Sequence, residues 1–175
     1  MLSILLQIIM TAQIIHIQSA LHLAVGNFTY DGVQLAVVLR ADAFPNEPIP
    51  TLCSIYNLSA IAVRYESASE TRDFELEVTK EGGKSVERTV GGQQANGPII
   101  VHRTTTSEIR PQEFLQRRID LTKWFKLTEP GVYHLRVSFQ IDDMRVDSYK
   151  YQKITIDDVR FTVREQEKKE NKKLK

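Results

Sequence analysis

The sequence is poor in the residues from which chemical sites are usually built. Among 175 residues there is one cysteine, Cys53, so no disulfide can form within the chain. Outside the apolar N-terminal segment only two histidines remain, His102 and His134, and neither belongs to a short metal-binding spacing. Neither a Gly-x-Ser-x-Gly nor a His-Glu-x-x-His motif occurs. We therefore expect no catalytic activity, no cofactor and no bound metal, and we expect Cys53 to be a small buried hydrophobic residue.

The chain also lacks a large excess of charge of either sign. Its formal net charge is +1, whereas nucleic-acid-binding domains usually carry a strong basic excess, so we expect no nucleic-acid partner. Hydrophobic residues make up 42% of the chain, which is enough for a packed core in one domain.

Charged side chains are missing altogether from Leu2 to Val25. This run predicts a secretory signal peptide over residues 1–26, with small residues for a signal peptidase at Ala24-Val25-Gly26. Cleavage after Ala20 is the alternative, and a retained membrane anchor is a second one, because about 20 residues can span a bilayer. We therefore expect an exported protein, located outside the cell, in the periplasm or in the cell envelope, that meets a membrane only if the segment is retained.

The clearest structural signal is a period of two between Tyr133 and Ile141, where apolar and polar residues alternate. Such alternation is typical of a half-buried strand in an antiparallel sheet. Similar short runs with turn signals between them predict an all-β domain over residues 30–164, an antiparallel sandwich of about eight to nine strands, followed by a charged, disordered tail over residues 165–175. The runs are Val33–Arg40, Thr51–Leu58, Ile61–Tyr65, Phe74–Thr79, Ser85–Val90, Ile99–Arg103, Tyr133–Ile141 and Ile154–Val163.

Two local features refine this expectation. Asp120 is placed to cap one short helical turn, and Trp124 and Phe125 in that turn are too large to leave exposed, so we expect them to close one end of the sheets. In the last strand the apolar parity changes between Ile156 and Val159, which predicts a β-bulge at Asp157-Asp158.

The segment from Glu129 to Leu135, Glu-Pro-Gly-Val-Tyr-His-Leu, resembles the tyrosine corner of immunoglobulin-like sandwiches. Leu135 stands where immunoglobulin domains have a cysteine, so the disulfide between the sheets is absent. The wider pattern from Leu121 to Tyr133 is similar to the intracellular proteinase inhibitor-type sandwich and to macroglobulin-type sandwich modules. The resemblance implies an immunoglobulin-like sandwich in which the Tyr133 hydroxyl bonds to the backbone near the preceding turn.

Loops carry function when the sheets are occupied with packing, so we place binding in two polar stretches, Gly91–Pro98 and Thr104–Pro111. The expected function is non-catalytic binding of an unidentified protein partner, with an inhibitor-like module as one form of it. The alternatives are a structural or accessory domain of a cell-envelope or secreted assembly, and a carbohydrate-binding module. The candidate binding residues are Gln93, Asn96, Thr104, Thr105, Thr106, Glu108 and Arg110.

Two further kinds of site are suggested by the sequence, a calcium site formed by aspartates and two sites of N-glycosylation. The aspartates near the last hairpin could ligate calcium, although no twelve-residue calcium loop is present, and carboxylates that form turns and protect sheet edges are the alternative. They are Asp142, Asp143, Asp147, Asp157 and Asp158. Asn27-Phe28-Thr29 and Asn57-Leu58-Ser59 match the N-glycosylation sequon.

Overall fold

The computed structural model describes residues 23–67, 73–96, 105–143 and 150–165. Within that part of the chain there are eleven strands and two short helices. In chain order they are β1 (Leu23–Tyr30), β2 (Val33–Arg40), β3 (Asp42–Ala43), β4 (Pro50–Asn57), β5 (Val63–Ser67), β6 (Phe74–Lys80), β7 (Lys84–Ser85), α1 (Val90–Asn96), β8 (Thr105–Ile109), β9 (Phe114–Asp120), α2 (Leu121–Trp124), β10 (Gly131–Asp143) and β11 (Lys150–Val163).

The strands form two sheets, which confirms the all-β prediction. The first sheet has the order β1-β2-β4-β9, and all its neighbours are antiparallel. The second sheet is built around β10, which pairs with β11 on one side and with β6 and β5 on the other. Strands β7 and β8 extend it through β6 and β5.

One strand pair departs from the expected antiparallel pattern. The two-residue strand β3 runs parallel to the end of β11, with Asp42 opposite Thr162, so the second sheet is mixed. The cause lies in the connection, because the chain leaves β2 at Arg40 in the first sheet and enters β3 in the second sheet two residues later. The Thr162 amide donates to the Ala41 carbonyl at this crossing, over 2.8 Å.

The two sheets share one apolar core in a sandwich-like arrangement. Along β2 every second residue is buried, as a period of two requires. Leu35 and Ile55 of the first sheet are fully buried, as are Leu76 and Leu135 of the second, and all four belong to the same cluster. Gly26 marks a close approach of the sheets: a Cβ atom there would lie 2.7 Å from a methyl group of Val159 on β11.

The predicted bulge in the last strand is confirmed. Leu135 pairs with Val159 and Val137 pairs with Ile156, so a single residue of β10 faces both Asp157 and Asp158 of β11. The extra residue restores the parity, and Ile154, Ile156, Val159, Phe161 and Val163 are all buried.

The structure confirms the expected environment of Tyr133. Its ring is 2% exposed and is stacked on Phe161, with 5.5 Å between the ring centroids. Its hydroxyl donates a hydrogen bond of 2.6 Å to the carbonyl of Glu129, in the turn before β10. The hydroxyl therefore fastens the start of the central strand to the segment that precedes it.

The first sheet begins earlier than residue 30, where the sequence placed the start of the domain. Strand β1 begins at Leu23 and pairs with β2 along its whole length, from Leu23 opposite Arg40 to Tyr30 opposite Val33. Cleavage at Ala24-Val25-Gly26 would cut into this strand, whereas cleavage after Ala20 would leave it whole. Residues 1–22, the strand predicted over Ile99–Arg103 and residues 166–175 of the predicted tail lie outside the described residues.

Candidate functional site

Strand β9 forms one edge of the first sheet. In the part of the chain that the structure describes it pairs with β4 alone, from Pro50 opposite Asp120 to Tyr56 opposite Phe114. A strand at a sheet edge presents unpaired backbone N–H and C=O groups to its surroundings. As far as the described residues go, this edge is therefore open to a further strand.

A groove of about 750 Å³ is lined by β9, and we call it the β9 groove. It touches five successive residues of β9, from Gln116 to Asp120. It also touches Pro50 of β4, which pairs with Asp120, so the groove extends over the β4–β9 pair at this end of the sheet. The remaining lining residues are Pro48, Lys123 and Trp124.

Arg117 points inward from β9 and joins the two sheets. Its Nη2 atom lies 2.7 Å from Oδ2 of Asp73, just before β6, and the Asp73 side chain is completely buried. The other carboxylate oxygen of Asp73 accepts a 2.9 Å hydrogen bond from the Ser67 hydroxyl at the end of β5. An inward-pointing charge is a recognised feature of edge strands, and here its charge is fully compensated.

Two further cations of the groove are not compensated in this way. Arg118 and Lys123 are both exposed, and neither has an ion-pair partner within the described ranges. The single acid of the groove, Asp120, is occupied: its Oδ1 accepts hydrogen bonds from the amides of Thr122 and Ile49 as the N-cap of α2. The groove therefore offers two positive side chains to a ligand.

The end of the groove is fixed by α2, where the structure confirms the prediction for Trp124. Trp124 is 7% exposed and Phe125 is 2% exposed, and both belong to the core cluster. The cap by Asp120 starts the turn as expected, and the Phe125 amide closes it on the Leu121 carbonyl at 2.8 Å. Trp124 thus lines the groove as a buried residue rather than as an exposed platform.

The first stretch predicted to be a loop, Gly91–Pro98, is helical in its described part, because Val90–Asn96 is the helix α1, which includes Gln93 and Asn96. Thr89 precedes it, and its hydroxyl accepts a hydrogen bond from the Gly92 amide. The two glycines disfavour a helix, but Gly92 is needed for packing: a Cβ there would lie 2.0 Å from the Trp124 carbonyl oxygen. Tertiary contact with α2 therefore overrides the local preference for a loop.

The second stretch predicted to be a loop is a strand over Thr105–Ile109, β8, which pairs with β5 and places Glu108 opposite Arg64. The small polar residues hid this pairing, since threonine suits a half-exposed strand. Glu108 forms a 2.8 Å ion pair with Arg64, Thr105 and Thr106 are exposed on the strand, and Arg110 begins the short turn before β9. Thr104 lies outside the described residues.

The predicted binding residues consequently do not converge. Gln93 is on the helix that packs against α2, next to the Asp120 end of β9, whereas Arg110 leads into the Phe114 end. These ends are roughly 20 Å apart along a seven-residue strand. Sequence reasoning missed Arg117, Arg118 and Lys123; the available signal was a pair of arginines inside an apolar-alternating run, which is typical of an edge strand.

Two of the five aspartates considered for calcium are ion-pair partners. Asp157 lies 2.9 Å from Arg136, and Asp158 lies 2.6 Å from Nδ1 of His134. Within the described ranges no three His, Cys, Asp or Glu side chains are grouped so as to hold a metal ion. Asp147 is outside those ranges.

Asp142 lines a second, smaller cavity of about 220 Å³ between Tyr30 and Ile61. Its Oδ1 atom is buried and has no hydrogen-bond partner among the described residues. Burial, and then the nearby charge of Glu66, raises the pKa of the Asp142 carboxyl, while Arg64 opposes that shift.

Of the two sequons, Asn57 is committed to the fold. Its side-chain nitrogen donates to the carbonyls of Ile61 and Ile109 at 2.7 and 2.8 Å, and its oxygen accepts from Ser59. The residue is completely buried, so this asparagine serves as a structural bridge between β4, the following loop and β8. Asn27, by contrast, is exposed on the edge strand β1.

Cys53 is completely buried on β4, as predicted, and burial raises the pKa of its thiol from 9.0 to about 12.

Above about pH 9 the unfolded chain loses the thiol proton of Cys53 while the folded chain keeps it. The stability should therefore fall with rising pH, by roughly 1 kcal/mol per pH unit from this group within the window between about pH 9 and pH 12. Urea unfolding of the wild type and of Cys53→Ala across this range tests it, since other groups titrate equally in both. Parallel stability–pH curves for the two proteins would contradict the prediction.

Two further findings concern membrane-spanning helices and similar proteins. No helix in the described ranges has the length and apolarity to cross a membrane. No protein-family model and no curated protein matches the sequence, so the function proposed below is based on the geometry of the β9 groove.

Proposed function

We propose that this chain is a non-catalytic, exported, immunoglobulin-like β-sandwich domain that binds a partner protein at the β9 groove. The observation that carries the proposal is a groove of about 750 Å³ lined by β9, an edge strand with no second neighbour within the described residues. Strand edges bind extended segments of other proteins through main-chain hydrogen bonds, and side-chain pockets beside them provide specificity. The β9 groove has both parts.

The construction of the groove supports binding without large rearrangement. Trp124 and Ile119 in its wall belong to the core, and Arg117 is held by the buried Asp73. Asp120 is fixed by the hydrogen bonds that cap α2. A wall held in this way loses little conformational freedom when a ligand binds, which favours affinity.

Export is the part of the proposal that rests on the charge-free run from Leu2 to Val25. Because β1 begins at Leu23, we expect cleavage after Ala20 rather than within Ala24-Val25-Gly26. Intact-mass measurement of the protein recovered outside the cytoplasm tests this. An N-terminus inside β1, or an intact Met1 in the membrane fraction, would contradict it.

The binding proposal is tested with a photo-crosslinking amino acid placed at Gln116, in the groove, and separately at Thr106, on β8 of the other sheet. Both positions are exposed, so both substitutions should leave the fold intact. We expect a reproducible crosslinked partner from Gln116 in the native source and none from Thr106. Crosslinking of the same partner from Thr106 alone would restore the region first predicted from the sequence and overturn the groove. The absence of any partner at Gln116 would also overturn it.

A further inference from the structure

We propose that the partner segment which enters the β9 groove is an extended strand in which acidic and apolar residues alternate. This inference rests on the proposed function and specifies its ligand. It follows from two differences. Arg117 is paired with Asp73, whereas Arg118 and Lys123 have no ion-pair partner within the described ranges, and the two faces of β9 carry different residue types.

The faces of β9 differ in what a neighbouring strand would meet. On the inner face the charge of Arg117 is already compensated by Asp73, and the next inward residue, Ile119, is 7% exposed. A strand beside β9 would therefore meet a neutral, apolar surface on this face. On the outer face it would meet Gln116, Arg118 and Asp120. Arg118 is exposed and has no ion-pair partner within the described ranges, whereas the Asp120 carboxylate accepts the hydrogen bonds that cap α2.

Cross-strand neighbours on the same face determine which residue types pair favourably. An apolar residue fits beside Ile119 and an acidic residue fits beside Arg118, and these two positions are one residue apart. Lys123 on α2, which also lines the groove, adds a second positive charge. An alternation of acidic and apolar residues matches Arg118 and Ile119, and its acidic residues also suit the charge of Lys123.

A second copy of this chain fits the same edge poorly. Antiparallel pairing of Gln116–Asp120 with itself is centred on Arg118 and sets this arginine directly against its own copy. Like charges directly opposite each other destabilise a strand pair. Charge complementarity therefore selects a different, acidic partner.

The test uses a fluorescent peptide, acetyl-Thr-Glu-Val-Glu-Val-Glu-Thr-amide, and fluorescence anisotropy with the full chain. Two control peptides accompany it: one with lysine in place of every glutamate, and one with the acidic sequence but with every internal backbone nitrogen methylated. We expect the acidic peptide to bind, the lysine peptide not to bind, and the methylated peptide to lose binding, because it cannot pair along the edge. Affinity should also weaken as salt is raised.

The matched protein variants are Arg118→Glu in the groove and Arg160→Glu on β11 of the other sheet, where the arginine is also exposed. We expect Arg118→Glu to weaken binding about tenfold or more and Arg160→Glu to change it by less than about twofold. Equal effects of both variants would mean that the peptide responds only to overall charge. Undiminished binding of the methylated peptide would overturn strand pairing.

These outcomes are distinguishable from failure of the proposed function. If Gln116 crosslinks a partner but the acidic peptide does not bind, the ligand class proposed here is wrong and the groove remains a binding site. If neither crosslinking nor peptide binding occurs, both proposals fail.

Discussion

Replacing Arg117 with methionine should lower the free energy of unfolding by about 3–5 kcal/mol at neutral pH. The reason is the position of its partner: the Asp73 side chain is completely buried, and its Oδ2 atom receives both Nε and Nη2 of Arg117, at 2.9 and 2.7 Å. Removing the arginine leaves that carboxylate without a counter-charge in a site that water does not reach. The loss is then dominated by the cost of a buried, uncompensated charge rather than by the worth of the ion pair.

Urea unfolding followed by tryptophan fluorescence measures this loss, and two variants separate its causes. Arg118→Met, on the same strand but exposed, should stay within about 0.5 kcal/mol of the wild type. The double variant Asp73→Asn with Arg117→Met should recover a large part of the loss, because the neutral amide no longer needs a counter-charge. If the double variant were as unstable as Arg117→Met alone, the effect would come from lost packing and not from charge.

Replacing Trp124 with alanine is expected to cost about 3–5 kcal/mol, the usual range for truncation of a large buried aromatic residue. Trp124 is 7% exposed and lies between the core and the β9 groove, so its removal would open the groove into the interior. A loss of this size is a large share of the roughly 5–15 kcal/mol that stabilises a typical domain. We therefore expect a poorly soluble or unfolded protein rather than a folded protein that has only lost a ligand.

Because this substitution removes the only tryptophan, its stability is followed by far-ultraviolet circular dichroism. Lys123→Ala, an exposed change in the same helical turn, is the control and should stay within about 0.5 kcal/mol of the wild type. If Trp124→Ala does not fold at all, acrylamide quenching of the wild type provides the evidence instead. Emission shifted to short wavelength and weak quenching are expected, whereas emission like that of free tryptophan would show that the ring is exposed.

The sequence predicts the structure best where a local pattern is compatible with only one conformation. The alternation from Tyr133 to Ile141 specifies one buried face, and β10 has that face in the structure. The change of parity between Ile156 and Val159 requires an extra residue, and the bulge supplies it. The turn after Asp120 is a further example. Asp120 caps it, and Trp124 and Phe125 are buried because their side chains are too large to leave exposed.

The two stretches predicted to be loops show what such patterns leave out. Gly91 and Gly92 belong to α1 because Trp124 packs closely on Gly92, and that contact joins residues more than thirty positions apart. Thr105–Ile109 is a strand because β5 lies beside it. Neither neighbour can be read from the segment itself, so polarity and small size were misleading in both places.

The sequence alone determined the class of fold, the buried faces of its longest strands and the packing role of Trp124, because periodicity, capping and side-chain size act within a few residues. Tertiary structure alone decided that β9 lies at a sheet edge, that Arg117 is neutralised by Asp73, and that Arg118 and Lys123 remain available beside it. The order of strands in a sheet depends on which distant segments pair, and that same order determines which backbone edge and which charges a partner can reach.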